Sequence, residues 1–371
     1  MSSKIGQINQ GEQRAFGYEL TPIIKGIAII LMFALHLLKP EWMSNPNIVL
    51  DISIRETTLS AILARGGDIC IGIFAFVTGY GWAETYDSKS KFARILGAYR
   101  VYWFVLLVFA FPMRVLFSEL NGSGIQLSLN EVMRSITAVG SLSIRFGWYI
   151  YFFALAVITY PFIIKSLDTV KISGVLLCYF VCVISIILRF GSRILFTRFL
   201  PVNDALEIFS HYFQWMPVVV IGHLSNKKSI IDKADITMNQ RIGEKKVILY
   251  ALLFIVLYVG KCAFMFITGI YSNFDSLIML PFMIALVGVA GWLDKRRRIK
   301  MLLSFLGGLS MYLWLSHGFI LYPQVQAVVL SVRLPILILL LSFGIMIPIA
   351  YLLRESDMFL VESGQRLLRK L

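Results

Sequence analysis

Charged residues are scarce in this chain of 371: they make up 15% of it, while 58% belongs to the hydrophobic set and the mean hydropathy is +0.77. A soluble domain carries about 25% charged and about 45–50% apolar residues, so this deficit excludes an ordinary water-soluble fold and points to lipid as the solvent. Cysteine is also sparse. The four present, Cys70, Cys178, Cys182 and Cys262, all fall in apolar runs, so neither a disulfide framework nor a thiolate metal site is expected, and no metal is assigned. Acidic residues are outnumbered, 21 against 35 Lys and Arg, for a formal charge of +14. Cations flanking apolar spans account for such an excess, and nucleic-acid binding is not expected from it. There is no Pro/Gly/Ser-rich linker, low-complexity tract or repeat of fixed period, so the chain reads as one bundle.

What the chain does have is long apolar runs. About twenty apolar residues cross roughly 30 Å of hydrocarbon as a helix rising about 1.5 Å per residue. Ten stretches fit, at roughly 22–38, 69–86, 98–118, 148–164, 170–188, 209–224, 247–268, 277–293, 302–322 and 335–353. The reading is therefore an all-α polytopic membrane protein of about ten transmembrane helices. It has an N-terminal segment 1–21, a transmembrane region 22–353 and a tail 354–371. The first run could pass for a signal peptide, but Lys39-Pro40-Glu41-Trp42 follows it in place of a small-residue cleavage site, so it is expected to persist as a helix. With the N-terminus inside, 23 Lys and Arg lie on the inner side and 9 in outer loops, which puts both termini in the cytoplasm.

Ionisable groups within spans cost a few kcal/mol each on insertion scales, so each needs a reason. Lys25 and His36 in the first span are eleven positions apart, close to three turns, about 1100° of rotation and roughly 16 Å of rise. They face the same way, with Lys25 near the inner surface and His36 in the outer half. A snorkelling lysine and a hydrogen-bonded core histidine are the ordinary alternatives. The second span opens from outside with Arg65-Gly66-Gly67-Asp68, which sets Asp68 near the depth of His36. Its carboxylate could orient an imidazole acting as general base, or simply cap the helix. The small residues of Thr78-Gly79-Tyr80-Gly81 permit close helix approach. Lys91, Arg94 and Arg100, at the inner start of the third span, serve as orientation signals and would also suit phosphates. Trp148 opens the fourth span from outside, where tryptophan commonly anchors at the interface. The ninth span carries Gly307 through His317, with His317 in the outer half; His211 and His223 lie near opposite ends of the sixth and receive no role.

Lys25-x10-His36, then Gly67-Asp68-Ile69 through Phe74, Phe76 and Thr78-Gly79-Tyr80, then Trp148-Tyr149, then Gly308 to His317 occur in that order along nearly the whole chain. This pattern resembles the integral-membrane acyltransferase family 3, ten-helix O-acyltransferases of bacterial surface glycans. Thr78 stands where serine is usual, and Lys91-x2-Arg94 keeps the spacing of the family's paired arginines with one lysine, Arg100 being the alternative. The resemblance implies transfer of an acyl group, most often acetyl, from cytoplasmic acetyl-CoA or another acyl-CoA to a sugar hydroxyl on the outer side of the bacterial plasma membrane. In that scheme His36 is the general base and Asp68 its orienting partner, while His317 serves the oxyanion or the sugar. Lys25, Lys91, Arg94 and Arg100 hold the donor; Thr78, Tyr80 and Trp148 face substrate. Partners are the glycan or lipid-linked sugar acceptor and membrane lipids, and a homo-oligomer is compatible.

Two other classes compete. In a secondary transporter or flippase, Lys25, His36 and Lys261 would form a substrate or proton path, but the matching halves of such folds are not visible in the sequence. A polysaccharide polymerase would have a large outer loop rich in Arg and His, whereas the longest here is about thirty residues. No Gly-x-Ser-x-Gly elbow is present, which speaks against a serine acyl-enzyme.

Overall fold

The computed structural model describes residues 14–38, 52–54, 57–86, 90–120, 128–139, 147–198, 203–269 and 274–368. The protein is an all-α polytopic membrane protein, and its one described strand pairing is a two-residue ladder, Ser53 opposite Thr58 and Ile54 opposite Thr57. In chain order the helices are α1 (Leu20–Leu37), α2 (Leu59–Arg65), α3 (Ile69–Thr85), α4 (Lys91–Val105), α5 (Phe111–Leu120), α6 (Leu129–Thr137), α7 (Trp148–Asp168) and α8 (Gly174–Arg198). They continue as α9 (Asn203–Lys227), α10 (Ile230–Ile242), α11 (Lys246–Thr268), α12 (Asp275–Asp294), α13 (Arg297–Gly308), α14 (Ser310–Ser316), α15 (Pro323–Leu330) and α16 (Pro335–Leu368).

Among the described residues, eight helices or helix runs are long and apolar enough to cross a membrane, and a bent pair makes a ninth. The bent pair, Arg297–Gly308 with Ser310–Leu321, turns through 57°. It replaces the straight span expected at 302–322. The expected span 209–224 lies within α9, which is too polar for that class because Ser210, His211, Gln214 and His223 interrupt it. That polarity is tolerated because α9 is a core helix. Trp215, Val218, Val219, Val220 and Ile221 are all essentially buried, and the helix packs along α3. The outer faces of α8, α11 and α16 instead present Val, Leu, Ile and Phe side chains outward, as helices bordering acyl chains must.

Two seams hold the bundle's centre, and both depend on glycine where a side chain would strike backbone. A Cβ on Gly26 of α1 would meet the Leu303 carbonyl of α13, and one on Gly307 would meet the Pro22 carbonyl in return. Gly79 of α3 faces the Val219 carbonyl of α9, and Gly222 faces the Phe76 carbonyl. Lipid tails are as apolar as leucine, so helices in a bilayer gain from such close van der Waals contact more than from a hydrophobic driving force. The seams lock α1 and α3, which carry Lys25, His36, Thr78 and Tyr80 of the predicted site, against the bundle's interior.

Candidate active site

A cavity of about 980 Å³ opens between α1, α3, α4, α7 and α14. Arg14, Tyr18, Lys25, Glu84, Arg94 and Asn226 contribute to its lining, and so do Phe74, Thr78, Tyr149, Met311, Trp314 and Leu315. The first set is polar. Arg14 and Glu84 form an ion pair there, and Glu84 also accepts from Tyr18 at 3.2 Å and from Asn226 at 3.2 Å. The carboxylate of Glu84 holds the guanidinium of Arg14 above its ordinary pKa. Gly81 on α3 and Gly97 on α4 also border the cavity, and a Cβ on either would meet nothing within 4 Å.

Lys25 lies along this cavity, and among the described residues no carboxylate comes within ion-pair distance of it. His36, from the same helix, meets His317 instead, with ring centroids 4.9 Å apart. His317 is 3% exposed, and its Nδ1 lies 2.6 Å from the Trp314 carbonyl. A carbonyl only accepts, so Nδ1 donates and carries the proton, which fixes the orientation and tautomer of the ring. Neither histidine is among the residues lining the cavity. Trp314 touches both: it is part of the cavity lining, and its carbonyl holds His317.

Asp68 lies in the 3₁₀ turn Gly66–Asp68, which packs on α1 where Gly67 approaches the Leu31 carbonyl. It makes no side-chain capping bond at the start of α3. Its ion-pair partner is Lys261 of α11, 2.8 Å away, which is also 2.6 Å from Asp275 of α12. Lys261 and Asp275 are buried, so the sequence reading of Lys261 as a stop on a transport path gives way to a closed three-residue ion cluster.

The predicted donor residues divide. Arg94 lines the cavity and donates to the Thr85 carbonyl and, at 2.9 Å, to that of Tyr86, where the C-terminus of α3 would otherwise leave acceptors unsatisfied. Lys91 does not reach it: its ammonium sits 5.2 Å from the Phe162 ring centroid. Arg100 also lies elsewhere, in an ion pair with Asp357 of α16, whose other oxygen accepts from Tyr312 at 2.6 Å. Arg100 thus ties α4 to α14 and α16, and an arginine already neutralised by a buried aspartate is a structural brace.

Of the predicted substrate residues, Thr78 lines the cavity while its hydroxyl donates to the Phe74 carbonyl at 2.8 Å. Tyr80 also lines it, donating to the Phe16 carbonyl at 3.1 Å. Trp148 does not: it stacks on His211 at 4.1 Å, and His211 is hydrogen-bonded to the Tyr151 hydroxyl at 2.6 Å. Its neighbour Tyr149 is the cavity residue. Sequence reasoning therefore missed Arg14, Tyr18, Glu84, Asn226, Tyr149 and Trp314. The last two sit inside motifs already noted, and only the azimuth around each helix was lacking.

Residues 23–355 match the model of a family described as an acyltransferase domain, acyltransferase family 3. No curated protein and no solved structure matches the chain. A match over that much of the chain is decisive, and the chain belongs to acyltransferase family 3; it is a membrane acyltransferase.

Proposed function

We propose that this acyltransferase moves an acyl group, most often acetyl, from cytoplasmic acyl-CoA to a hydroxyl of a surface or lipid-linked glycan. The polar end of the cavity and both termini then lie on the cytoplasmic side of a bacterial plasma membrane. The observation that carries the reading is the chemistry of the cavity: its lining joins the cations of Lys25 and Arg94 to the uncharged rings of Phe74, Tyr149 and Trp314, and the Trp314 carbonyl holds His317 of the histidine pair. An acyl-CoA has the matching polarity, an anionic nucleotide at one end and an uncharged arm ending in the thioester at the other. Lys25 and Arg94 would hold phosphate oxygens through charge-assisted hydrogen bonds.

In this reading His36 takes the proton from the acceptor hydroxyl as its oxygen attacks the thioester carbonyl. The C–O bond forms, the C–S bond breaks and the thiol leaves with a proton. His317 turns Nε2 toward the reacting centre, where in its protonated form it donates to the developing oxyanion. Asp68, expected from the sequence to orient His36, is instead paired with Lys261 in the turn before α3 and takes no step in this reading.

The test uses membranes of cells with the protein, labelled acetyl-CoA and the cell's own glycan. Label enters glycan hydroxyls with the wild type, and His36→Ala at equal expression lowers the rate by about 10²–10⁴-fold, the share a general base supplies. Undiminished transfer in that variant would overturn the mechanism.

A further inference from the structure

The donor cavity and the histidine pair are neighbours without a shared opening in the described lining. Trp314 is the residue that touches both. The Trp314 indole, 9% exposed, meets Phe74 of α3 edge-on, with centroids 5.4 Å apart and planes at 88°, and Tyr149 of α7 at 5.5 Å. Three aromatic rings from α3, α7 and α14 thus meet in the lining of the cavity. The backbone carbonyl of the same Trp314 holds His317, which faces His36. Trp314 belongs to a seven-residue helix just after the 57° break.

A transferase that uses a thioester and a sugar hydroxyl has a particular problem. Water is a nucleophile much like the hydroxyl, present in excess at the outer surface, and a histidine that activates one can activate the other. Closing a site against water is what prevents such side reactions. We propose that Trp314 is the partition that couples donor consumption to acceptor acylation: with Phe74 and Tyr149 it keeps the thioester apart from His36 and from outer water until acceptor is in place. This rests on the acyl-CoA reading of the cavity. When the partition fails, water takes the hydroxyl's part: its oxygen bonds to the acyl carbon, the C–S bond breaks, and the thiol and a free carboxylic acid are released.

The experiment uses the purified full chain in lipid nanodiscs with acetyl-CoA and no acceptor, following free thiol with a thiol-reactive chromophore. Trp314→Ala is expected to raise acceptor-independent thiol release by about tenfold, a fraction of the 10²–10⁴-fold that a general base can supply. Trp314→Phe, which keeps a ring in the wall, returns release toward the wild-type rate, and Trp314→Ala combined with His36→Ala abolishes the gain. Phe74→Ala thins the same wall from α3 and leaks likewise, so the measurement stands even where Trp314→Ala fails to fold. Release at or below the wild-type rate in the folded variants, with the ratio of acylated glycan to thiol unchanged when acceptor is added, overturns the partition. A wild type that transfers no acetyl from acetyl-CoA to glycan would instead overturn the donor reading itself.

Discussion

Lys25 and Lys261 look alike in the sequence, each a lone ammonium inside an apolar span, yet the protein treats them in opposite ways. Lys261 is 3% exposed and clamped between Asp68 and Asp275, from the turn before α3 and from α12. Lys25 borders a cavity and is given no carboxylate among the described residues. A buried charge is tolerated only when paired, so Lys261 is satisfied by the fold, whereas Lys25 is the cation that the proposed function assigns to the donor's phosphates. On that reading the difference separates a residue that holds the bundle together from one that holds a ligand.

The largest effect expected from breaking that contrast is at Lys261. Replacing it by methionine leaves two carboxylates facing each other without a cation, and removing one partner of a buried ion pair costs about 3–5 kcal/mol. Lys261→Met is therefore expected to lower the midpoint of thermal unfolding in detergent sharply. Adding Asp275→Asn and Asp68→Asn should restore most of it, since the three together can be replaced more cheaply than any one alone. Equal midpoints for wild type and Lys261→Met would show that the cluster is not the brace it resembles.

Glycines on one helix draw the same line at closer range. Gly79 meets the Val219 carbonyl, whereas Gly81, two residues on, faces open cavity. Overpacking a tight contact costs about 1–3 kcal/mol, so Gly79→Leu should unfold early. Gly81→Leu and Gly97→Leu should keep or slightly raise stability, because leucine favours a helix over glycine by about 1 kcal/mol. Both would fill donor space, and donor KM should rise strongly while the unfolding midpoint holds. A cavity filled this way with unaltered donor kinetics would mean that the donor binds elsewhere.

How much of this was legible in the sequence follows from what a helix reveals. Position along a helix can be counted: spacing put Lys25 and His36 on one helix, and span order put His317 at the level of His36, which it meets. Azimuth cannot be counted where a span is apolar all round, as α3 and α7 are, because no polar face marks the side turned to the interior. Hence Trp148 was chosen when Tyr149 is the cavity residue, and Lys91 and Arg100 were grouped with Arg94 although their partners are Phe162 and Asp357. The partners of ionised groups were invisible for a related reason. Asp275 stands at the start of α12 and reads as an ordinary loop acid until α11 brings Lys261 against it. Hydropathy marks α9 less clearly than its neighbours because its polarity has a local use: it carries His211 and His223 to meet Tyr151 and Tyr160.

The mildest and most selective change is at Lys25 itself. The residue takes no part in either glycine seam, although it lies one position from Gly26, and among the described residues it has no carboxylate to strand. Lys25→Met keeps the length of the stem and removes the charge, so the fold should not weaken. A hydrogen bond to an ionised group contributes about 1.5–3 kcal/mol, so losing one to a donor phosphate should raise donor KM by about ten- to a hundredfold. The rate at saturating donor should change far less, because the ammonium is remote from the histidine pair and acts on binding in ground and transition states alike. Lys25→Arg, which keeps the charge, should recover part of the loss. Were kcat to fall with KM unchanged, Lys25 would be acting on the reacting centre, and its contrast with Lys261 would be one of chemistry against structure, not of a ligand's charge against the fold's.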